Sequence, residues 1–246
     1  LTVTGNGNTI TNSDMIPSTL DDTDFGNVAV GGSDTHTFSL RATVANIHNV
    51  VVSISGSTDF TPPSSNLGRI RRNRTKTQDI TFTPSSIGLK TAIVTVTSLD
   101  GTNTPYVFAI QGNGVAPSPE INLVDSGSNG ISSGSGNSPS VANSTEFGST
   151  DPLTPINVTY TIENIGTGTL NIGALASSIP DFSITTAPAA SVVAGGSTTF
   201  TVTFIPSGLG VISSTISIVN DDADENPYTF TVSGTGISAP ILPANG

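Results

Sequence analysis

Apolar and polar residues alternate along much of this chain, and a period of two predicts β-strands with one buried face. The alternation is clearest in residues 158–162 and 199–204, where every second side chain is apolar. Gly, Pro, Asn and Ser interrupt it at intervals of roughly 8–15 residues, as turns between short strands do. This pattern predicts an all-β chain whose strands form packed antiparallel sheets.

One pattern occurs twice in the chain. The motif Phe-x-Pro-Ser lies at residues 82–85 and again at residues 204–207, which is an offset of 122 residues. Each copy follows one alternating run and precedes another, as in a hairpin. Further landmarks share the offset, namely Asp24-Phe25-Gly26 with Glu146-Phe147-Gly148, Asp59-Phe60 with Asp181-Phe182, and Tyr106-Val107-Phe108 with Tyr228-Thr229-Phe230. Each copy is therefore predicted to be one folding unit with its own core.

The repeat predicts two tandem β-sandwich domains of seven to eight strands each. Repeat 1 is placed at residues 1–116 and repeat 2 at residues 117–246, with residues 237–246 as a linker-like tail. Gly5-Asn6-Gly7 and Gly234-Thr235-Gly236 are interpreted as turns, and Gly112-Asn113-Gly114 is interpreted as the end of the last strand of repeat 1. The inward-facing positions are predicted to be Phe38, Leu40, Phe82, Val94, Val96 and Phe108 in repeat 1, and Tyr160, Ile162, Val202, Phe204, Ile216, Ile218 and Phe230 in repeat 2.

Composition narrows the function classes. The chain has no Cys and no Trp, and only 5% of its residues are aromatic. The absence of Cys excludes disulfides, thiolate metal sites and Cys nucleophiles. No apolar run is long enough to span a membrane, and no signal peptide is visible at Leu1, so the chain is expected to be a processed product or a piece of a longer protein. A net charge of −11 argues against nucleic acid as the main partner.

Three stretches carry a family resemblance, namely residues 5–26, 199–206 and 220–230. Together they resemble the choice-of-anchor D repeats of bacterial surface and secreted proteins, which are similar in turn to the ASPM/SPD-2/Hydin group of immunoglobulin-like domains. Repeat 1 departs from the pattern at residues 41–44 and 69–77. The resemblance implies two tandem immunoglobulin-like domains without catalytic residues, located outside the cell or on its surface.

An acidic turn in repeat 2 is the candidate metal site. Asp221, Asp222, Asp224 and Glu225 place four carboxylates within five residues, and hard oxygen ligands on a loop suit Ca²⁺. The alternative is a solvated turn whose Asp and Asn side chains cap their own backbone. Residues 98–103 of repeat 1 hold one carboxylate, so a site is expected in repeat 2 only. A second, weaker cluster consists of Asp21, Asp22 and Asp24.

The basic residues are concentrated in one run. All seven Lys and Arg lie in repeat 1, and five of them occur within eight residues: Arg69, Arg71, Arg72, Arg74 and Lys76. Residues 1–122 hold seven basic and nine acidic side chains, a net charge of −2, whereas residues 123–246 hold nine acids and no base, a net charge of −9. Three roles are considered: a solvated edge that discourages strand pairing, contact with an acidic surface such as repeat 2 of a neighbouring copy, and nucleic-acid binding, which the lack of interleaved aromatics disfavours.

The function predicted from these features is non-catalytic. The chain is expected to be an extracellular structural module (a stalk, spacer or protomer of a surface filament) that contacts other copies of itself or neighbouring domains. Open sheet edges could pair with a neighbouring strand, with the strand at Leu1 as a candidate. The alternative is a carbohydrate- or ligand-binding accessory module, for which the Gly/Ser/Asn-rich residues 125–145 could supply a loop. The two histidines, His36 and His48, lack a catalytic pattern, and no cofactor is expected apart from possible Ca²⁺.

Overall fold

The computed structural model describes residues 1–62, 64–99, 104–134 and 138–239. The chain divides into two compact units, Leu1–Ala116 and Pro117–Gly246. No helix among the described residues is long and apolar enough to cross a membrane. From residue 240 onward the predicted linker-like tail lies outside the described residues, as do residues 100–103 of the stretch that was compared with the acidic turn.

Unit 1 consists of two sheets of five strands each. Its strands are β1 (Thr2–Gly5), β2 (Asn8–Ile10), β3 (Asp24–Ala29), β4 (Asp34–Arg41), β5 (Ile47–Gly56), β6 (Phe60–Thr61), β7 (Asn66–Ile70), β8 (Thr75–Phe82), β9 (Gly88–Thr97) and β10 (Tyr106–Val115). The strand order is β2-β1-β4-β8-β6 in one sheet and β3-β10-β9-β5-β7 in the other.

Unit 2 repeats this plan with four strands in one sheet and five in the other. Its strands are β11 (Ile121–Asp125), β12 (Glu146–Thr150), β13 (Ile156–Asn164), β14 (Leu170–Ser177), β15 (Phe182–Thr186), β16 (Ser191–Val192), β17 (Ser197–Phe204), β18 (Gly210–Asn220) and β19 (Tyr228–Gly236). The strand order is β11-β13-β17-β15 in one sheet and β12-β19-β18-β14-β16 in the other. A short 3₁₀ helix, Val141–Asn143, precedes β12.

The predicted all-β, sandwich-type fold is confirmed, with two corrections in detail. The described residues form ten strands in unit 1 and nine in unit 2, because strands of two or three residues such as β6 and β16 are too short to show a period. The sheets are not purely antiparallel, since β3 runs parallel to β10 and β12 runs parallel to β19. The strand at Leu1, which was a candidate for pairing with a neighbouring molecule, already pairs within unit 1, with β2 on one side and with β4 on the other.

Each unit has its own apolar core, and all thirteen positions predicted to face inward are buried. Aromatic rings stack at corresponding places. The centroids of Phe60 and Phe82 are 4.6 Å apart, and those of Phe182 and Phe204 are 4.5 Å apart. The repeat seen in the sequence is thus a repeat of core contacts.

The Phe of the repeated motif packs against a glycine of the last strand. A Cβ added to Gly112 would lie 2.5 Å from Cε1 of Phe82, and a Cβ on Gly234 would overlap the ring of Phe204 in the same way. Both glycines lie inside strands, Gly112 in β10 and Gly234 in β19. The interpretation of Gly234-Thr235-Gly236 as a turn is therefore wrong, whereas Asn6-Gly7 does form the turn between β1 and β2. Gly112 and Gly234 are there to make room for a ring.

The second glycine of each segment packs against the proline of the Phe-x-Pro-Ser motif. A Cβ on Gly114 would lie 3.0 Å from Cβ of Pro84, and one on Gly236 would lie 2.9 Å from Cβ of Pro206. The Phe-x-Pro-Ser turn thus closes over the end of the last strand in both units. Sequence segments more than twenty residues apart in each unit meet in this one contact.

The two cores differ at a position that lies in β8 of unit 1 and in β17 of unit 2. Gln78 is buried in β8 with its Oε1 lacking a hydrogen-bond partner, whereas Phe200 at the same repeat position lies 5.5 Å from the ring of Tyr160. An unpartnered buried amide oxygen destabilises a core. The core of unit 1 therefore lacks an aromatic packing element that unit 2 has.

Replacing Gly234 with Ala is expected to destabilise unit 2 by about 2–3 kcal/mol, since the added methyl group overpacks against the Phe204 ring. The measurement is the free energy of unfolding by denaturant titration. Gly208→Ala is the matched control, because nothing lies within 4 Å of a Cβ at that position. If the ring is the cause, Gly234→Ala costs much less in a Phe204→Ala background; equal costs in both backgrounds would contradict this account.

Candidate functional site

The basic run forms the connection between β7 and β8. Arg69 lies in β7, Lys76 lies in β8, and Arg71, Arg72 and Arg74 occupy the turn between them. These five residues are called the basic turn below. All five are exposed.

Backbone hydrogen bonds fix the turn while its side chains extend outward. Asn73 N donates to Ala42 O at 2.6 Å, and Arg74 N donates to Arg71 O at 2.9 Å. Asn73 adopts a left-handed conformation with φ of 60°, which Asn tolerates better than most residues. The guanidinium groups therefore project from a well-defined scaffold.

No ion pair joins the basic turn to a carboxylate within the part of the chain that the structure describes. The Lys76 ammonium donates to the carbonyl of Leu67 on β7 instead. Three exposed Arg side chains within four residues repel one another, and this repulsion is relieved when an anion approaches. The turn can therefore attract an acidic partner.

The four carboxylates of the predicted calcium site do not converge. Asp221 is exposed and accepts hydrogen bonds from N and Nδ2 of Asn171, at 2.8 and 2.6 Å. Asp222 is buried, and its Oδ2 accepts from the backbone N of Ile121 at 2.8 Å. These two neighbours thus hold different strands, β14 and β11.

Three carboxylates from two segments come together instead. Oxygen atoms of Glu120, Asp222 and Glu225 all lie within 4.8 Å of one another. These three residues are called the acidic cluster below. Sequence reasoning missed Glu120 because it lies about a hundred residues before the other two, at the start of β11. The hydrogen bond from Ile121 N to Asp222 brings it there.

The acidic cluster carries uncompensated negative charge. Burial, followed by repulsion from Asp222 and Asp224, raises the pKa of Glu120. Burial, followed by repulsion from Asp222, Glu120 and Asp224, raises the pKa of Glu225. By contrast, hydrogen bonds from the side chain and backbone of Asn171 lower the pKa of Asp221. A bound cation would thus relieve the repulsion among these three carboxylates, whereas Asp221 is already stabilised by Asn171.

A polar cavity of about 340 Å³ adjoins the cluster. Glu120 and Glu225 line it together with Ser132, Ser133 and the Tyr228 ring. Burial and the charge of Glu225 raise the pKa of Tyr228 to about 12, so the phenol stays neutral at pH 7. Its hydroxyl donates to the carbonyl of Ile131.

The weaker acidic cluster of unit 1 consists of turn-forming residues. Asp21 Oδ1 accepts from Oγ1 of Thr23 at 2.6 Å, and Asp24 accepts from Gly26 N and Gln111 Nε2, both at 2.8 Å. Among the described residues these carboxylates do not gather into a metal-binding group.

Residues 125–145 are ordered around one buried carboxylate in the part that the structure describes. Asp125 accepts from Gly127 N and Asn129 N, both at 2.9 Å, and from Oγ of Ser144 at 2.9 Å. Burial would raise the pKa of Asp125, but these hydrogen bonds outweigh it and lower the pKa. Asp125 therefore serves to organise this loop.

His36 is held in place by its neighbours. Its ring stacks on Phe25 with centroids 4.1 Å apart, its Nδ1 lies 2.7 Å from the carbonyl of Asp22, and its Nε2 lies 3.2 Å from Oδ2 of Asp34. These contacts hold the half-buried His36 at the edge of the core.

Glu225→Gln is expected to raise the melting temperature at pH 7, because it removes a charge that the folded state disfavours. A carboxyl with a raised pKa is protonated more readily in the folded state, so this gain shrinks as the pH falls through that pKa. Asp221→Asn has the opposite sign: it lowers the melting temperature at pH 7, and the loss disappears at acid pH. Thermal unfolding of both variants from pH 3 to pH 8 measures these changes, a range that begins roughly one unit below the ordinary carboxyl pKa values. Melting temperatures that shift in the same direction in both variants at pH 7 would contradict this account of Glu225 and Asp221.

The calcium site stays a prediction, now centred on Glu120, Asp222 and Glu225. If it exists, isothermal titration with Ca²⁺ gives measurable heat and the melting temperature rises with Ca²⁺ concentration. Glu120→Gln should abolish both effects, whereas Asp21→Asn in unit 1 should leave them unchanged. No heat and no rise in melting temperature with the unaltered protein would rule the site out.

Part of unit 2 matches a known domain family. Residues 140–235 match the family described as HYDIN/CFA65/VesB-like, Ig-like domain. No curated protein matches the chain significantly.

Solved structures show only a distant likeness. A protein of unknown function from Porphyromonas gingivalis W83 aligns with 15% identity and a TM-score of 0.37, covering 85% of this chain and 93% of that chain. The ASH/PapD-like domain 7 of human CEP192 aligns with 19% identity and a TM-score of 0.33 over 39% and 81% of the two chains. CBD12 from CALX1.2 aligns with 12% identity and a TM-score of 0.39 over 83% and 80%. Scores this low carry no conclusion about function.

The match over residues 140–235 and the sandwich fold of both units support an Ig-like family for this chain. The finer resemblance to choice-of-anchor D repeats stays a prediction.

Proposed function

We propose that this chain is a non-catalytic, extracellular structural module, a stalk, spacer or protomer of a surface assembly, that contacts further copies of itself. The Ig-like match indicates a structural or binding module. The observation that carries the proposal is the separation of charge between the units, with an exposed basic turn on one and an uncompensated acidic cluster on the other.

The separation of charge is nearly complete. Unit 1 holds all seven basic residues and eight acidic ones, whereas unit 2 holds ten acidic residues and no basic one. Four of the ten, Asp125, Asp151, Asp181 and Asp222, are buried. The charged side chains on the surface of unit 2 are therefore all acidic, and an exposed Arg of another molecule meets no basic side chain there.

A contact between the basic turn of one copy and the acidic cluster of the next is heterologous. Each copy then offers a donor surface and an acceptor surface, and such contacts build an open filament unless the rotation between copies closes a ring. Exposed charges interact over roughly 10 Å at 0.1 M salt, so an assembly of this kind weakens as salt rises.

A carbohydrate- or ligand-binding accessory module is the alternative proposal. Sugar binding of this type needs exposed aromatic rings on which sugars stack. All ten Phe and all three Tyr of the chain lie within the described residues, and every one of them is buried. The structural proposal is therefore preferred.

The extracellular location belongs to the proposal as well. It is supported by the lack of Cys, the acidic Thr/Ser/Gly-rich composition and the resemblance to bacterial surface repeats. The contact with an acidic surface is preferred over nucleic acid for the basic turn, since no exposed aromatic side chain accompanies it.

Changing Arg71, Arg72 and Arg74 together to Gln is expected to weaken self-association by at least about tenfold at low salt, because the attracting charge is lost. Sedimentation velocity over a range of protein and salt concentrations measures it. Lys90→Gln is the control, since Lys90 is a half-buried basic residue of unit 1 that donates to Ser86, outside the turn.

The reciprocal change, Glu120→Gln with Glu225→Gln, should weaken association in the same way. Self-association that is unchanged in both variants at every salt concentration would overturn the basic-to-acidic contact.

A further inference from the structure

The segment between β5 and β8 in unit 1 and the equivalent segment between β14 and β17 in unit 2 extend different sheets. In unit 1 this segment pairs mainly with β5, through the five residues of β7, and only the two residues of β6 pair with β8. In unit 2 it pairs mainly with β17, through the five residues of β15, and only the two residues of β16 pair with β14. Each unit therefore covers the sheet edge that the other leaves open.

The open edge in unit 1 is β8 from Thr75 to Ile80. Thr83 N donates to Asp59 O on the side of β6, and alternate residues of a strand direct their backbone groups to the same side. Thr77 and Asp79 accordingly direct their N–H and C=O groups to the open side. Among the described residues no strand pairs with them there, and the Asp79 carbonyl accepts from the side chain of Gln78.

The open edge in unit 2 is β14 beyond its bulge. Ser178 N donates to Thr215 O, on the side of β18, so Leu175 and Ser177 direct their backbone groups away from that sheet. Pairing with β16 ends near Ile172, whose N donates to Ala190 O. No strand within the described residues pairs with β14 from Gly173 to Ser177 on the outer side.

Proline explains where the cover stops in both units. Pro62 and Pro63 follow β6 directly, and proline has no N–H with which to continue a ladder. In unit 2 the last contact with β14 is at Ala190, which accepts from Ile172 N. The next residue whose backbone would face β14 lies two positions earlier, and it is Pro188. The prolines of the segment thus determine where each sheet edge stays open.

The outer edge of β11 in unit 2, by contrast, is covered by other segments of the chain. On β11, Asp222 accepts from Ile121 N, and Ile131 N donates to the carbonyl of Leu123 at 2.9 Å. The β14 edge lacks such cover and carries only uncharged residues, Gly-Ala-Leu-Ala-Ser. An uncharged open edge of this kind is available for pairing with another strand.

We propose that β8 of one copy pairs in parallel with β14 of a second copy, with Thr77 opposite Ala176, so that the basic turn at the start of β8 is brought against acidic unit 2 near the start of β14. The inference rests on the proposed function, because it names the strands that join the copies. Charge selects this pairing. In the same parallel arrangement, two β8 edges would bring two basic turns together, and two β14 edges would bring together two units that have no basic residue.

The charges near the two edges agree with this choice. Lys76 is exposed on β8, and Arg74 precedes the strand. Asp221 is exposed and bonded to Asn171, near the start of β14. A lone Lys on an edge strand discourages pairing with most partners, but it favours a partner whose surface is acidic.

Cysteine cross-linking tests the pairing directly, because the chain has no Cys of its own. Thr77→Cys and Ala176→Cys, both at exposed positions of the two edges, are prepared as separate populations of different mass, mixed and oxidised. A disulfide forms only where Cα atoms come within about 7 Å. We expect the mixed dimer in several-fold excess over that formed by Thr77→Cys with Ser149→Cys, which lies on the opposite edge strand, β12. Equal yields would overturn the proposal.

A second pair of variants blocks the edge without cross-linking. Thr77→Pro removes an N–H that points to the open side and is expected to reduce association by at least tenfold, whereas Thr77→Val keeps the N–H and retains association. Ala176→Lys on the partner strand gives an independent block if the proline variant unfolds.

The outcomes separate the two proposals. Salt-sensitive association that persists undiminished in folded Thr77→Pro and Ala176→Lys would overturn the strand pairing and leave the basic-to-acidic contact in place. An unaltered protein that stays monomeric at all salt and protein concentrations would overturn both.

Discussion

Each unit of this protein depends on one contact, in which a phenylalanine ring lies against the backbone of a glycine in the last strand. Phe82 meets Gly112 and Phe204 meets Gly234 at a separation that leaves no space for a Cβ atom. The same phenylalanines stack on Phe60 and Phe182 within their own sheet. Because the glycines lie in the opposite sheet, each ring connects the two sheets of its sandwich. Because protein interiors are close-packed, such a contact tolerates little change on either side.

This constraint explains which parts of the two repeats differ. The motif, its glycines and the stacked aromatic pair recur in both units, whereas the basic turn and the acidic cluster each occur in one. The turn at residues 71–74 is held by backbone hydrogen bonds to Ala42, and the equivalent turn in unit 2 is held in the same way to Asn164. Backbone bonds of this kind accept any exposed side chain, so the charge at this end can change while the fold does not.

The same reasoning applies to the sheet edges. The cores need the central strands, but the segment between β5 and β8, or between β14 and β17, can add to either sheet without changing those cores. Prolines in the segment determine which sheet it extends and over how many residues it pairs. The two units are thus alike in their interiors and complementary in their open edges, and this combination allows one chain to serve as both partners of a contact between copies.

Much of the fold could be read from the residues alone. Alternation identified the strands and all thirteen predicted core positions, because burial of one face imposes a period of two, and a constant offset identified the repeat. The basic run was found as well, since it is contiguous in sequence. Its role and the calcium site are untested predictions.

Other features were decided by tertiary structure. Glu120 joins Asp222 and Glu225 only because the backbone N–H of Ile121 needs an acceptor on the edge of β11, which no local pattern reveals. Gly234-Thr235-Gly236 was predicted to be a turn because the ring it packs against, Phe204, lies about thirty residues away in sequence. Alternation and spacing are local properties that a sequence records, whereas the meeting of distant segments and the choice of which sheet edge stays open depend on packing in three dimensions.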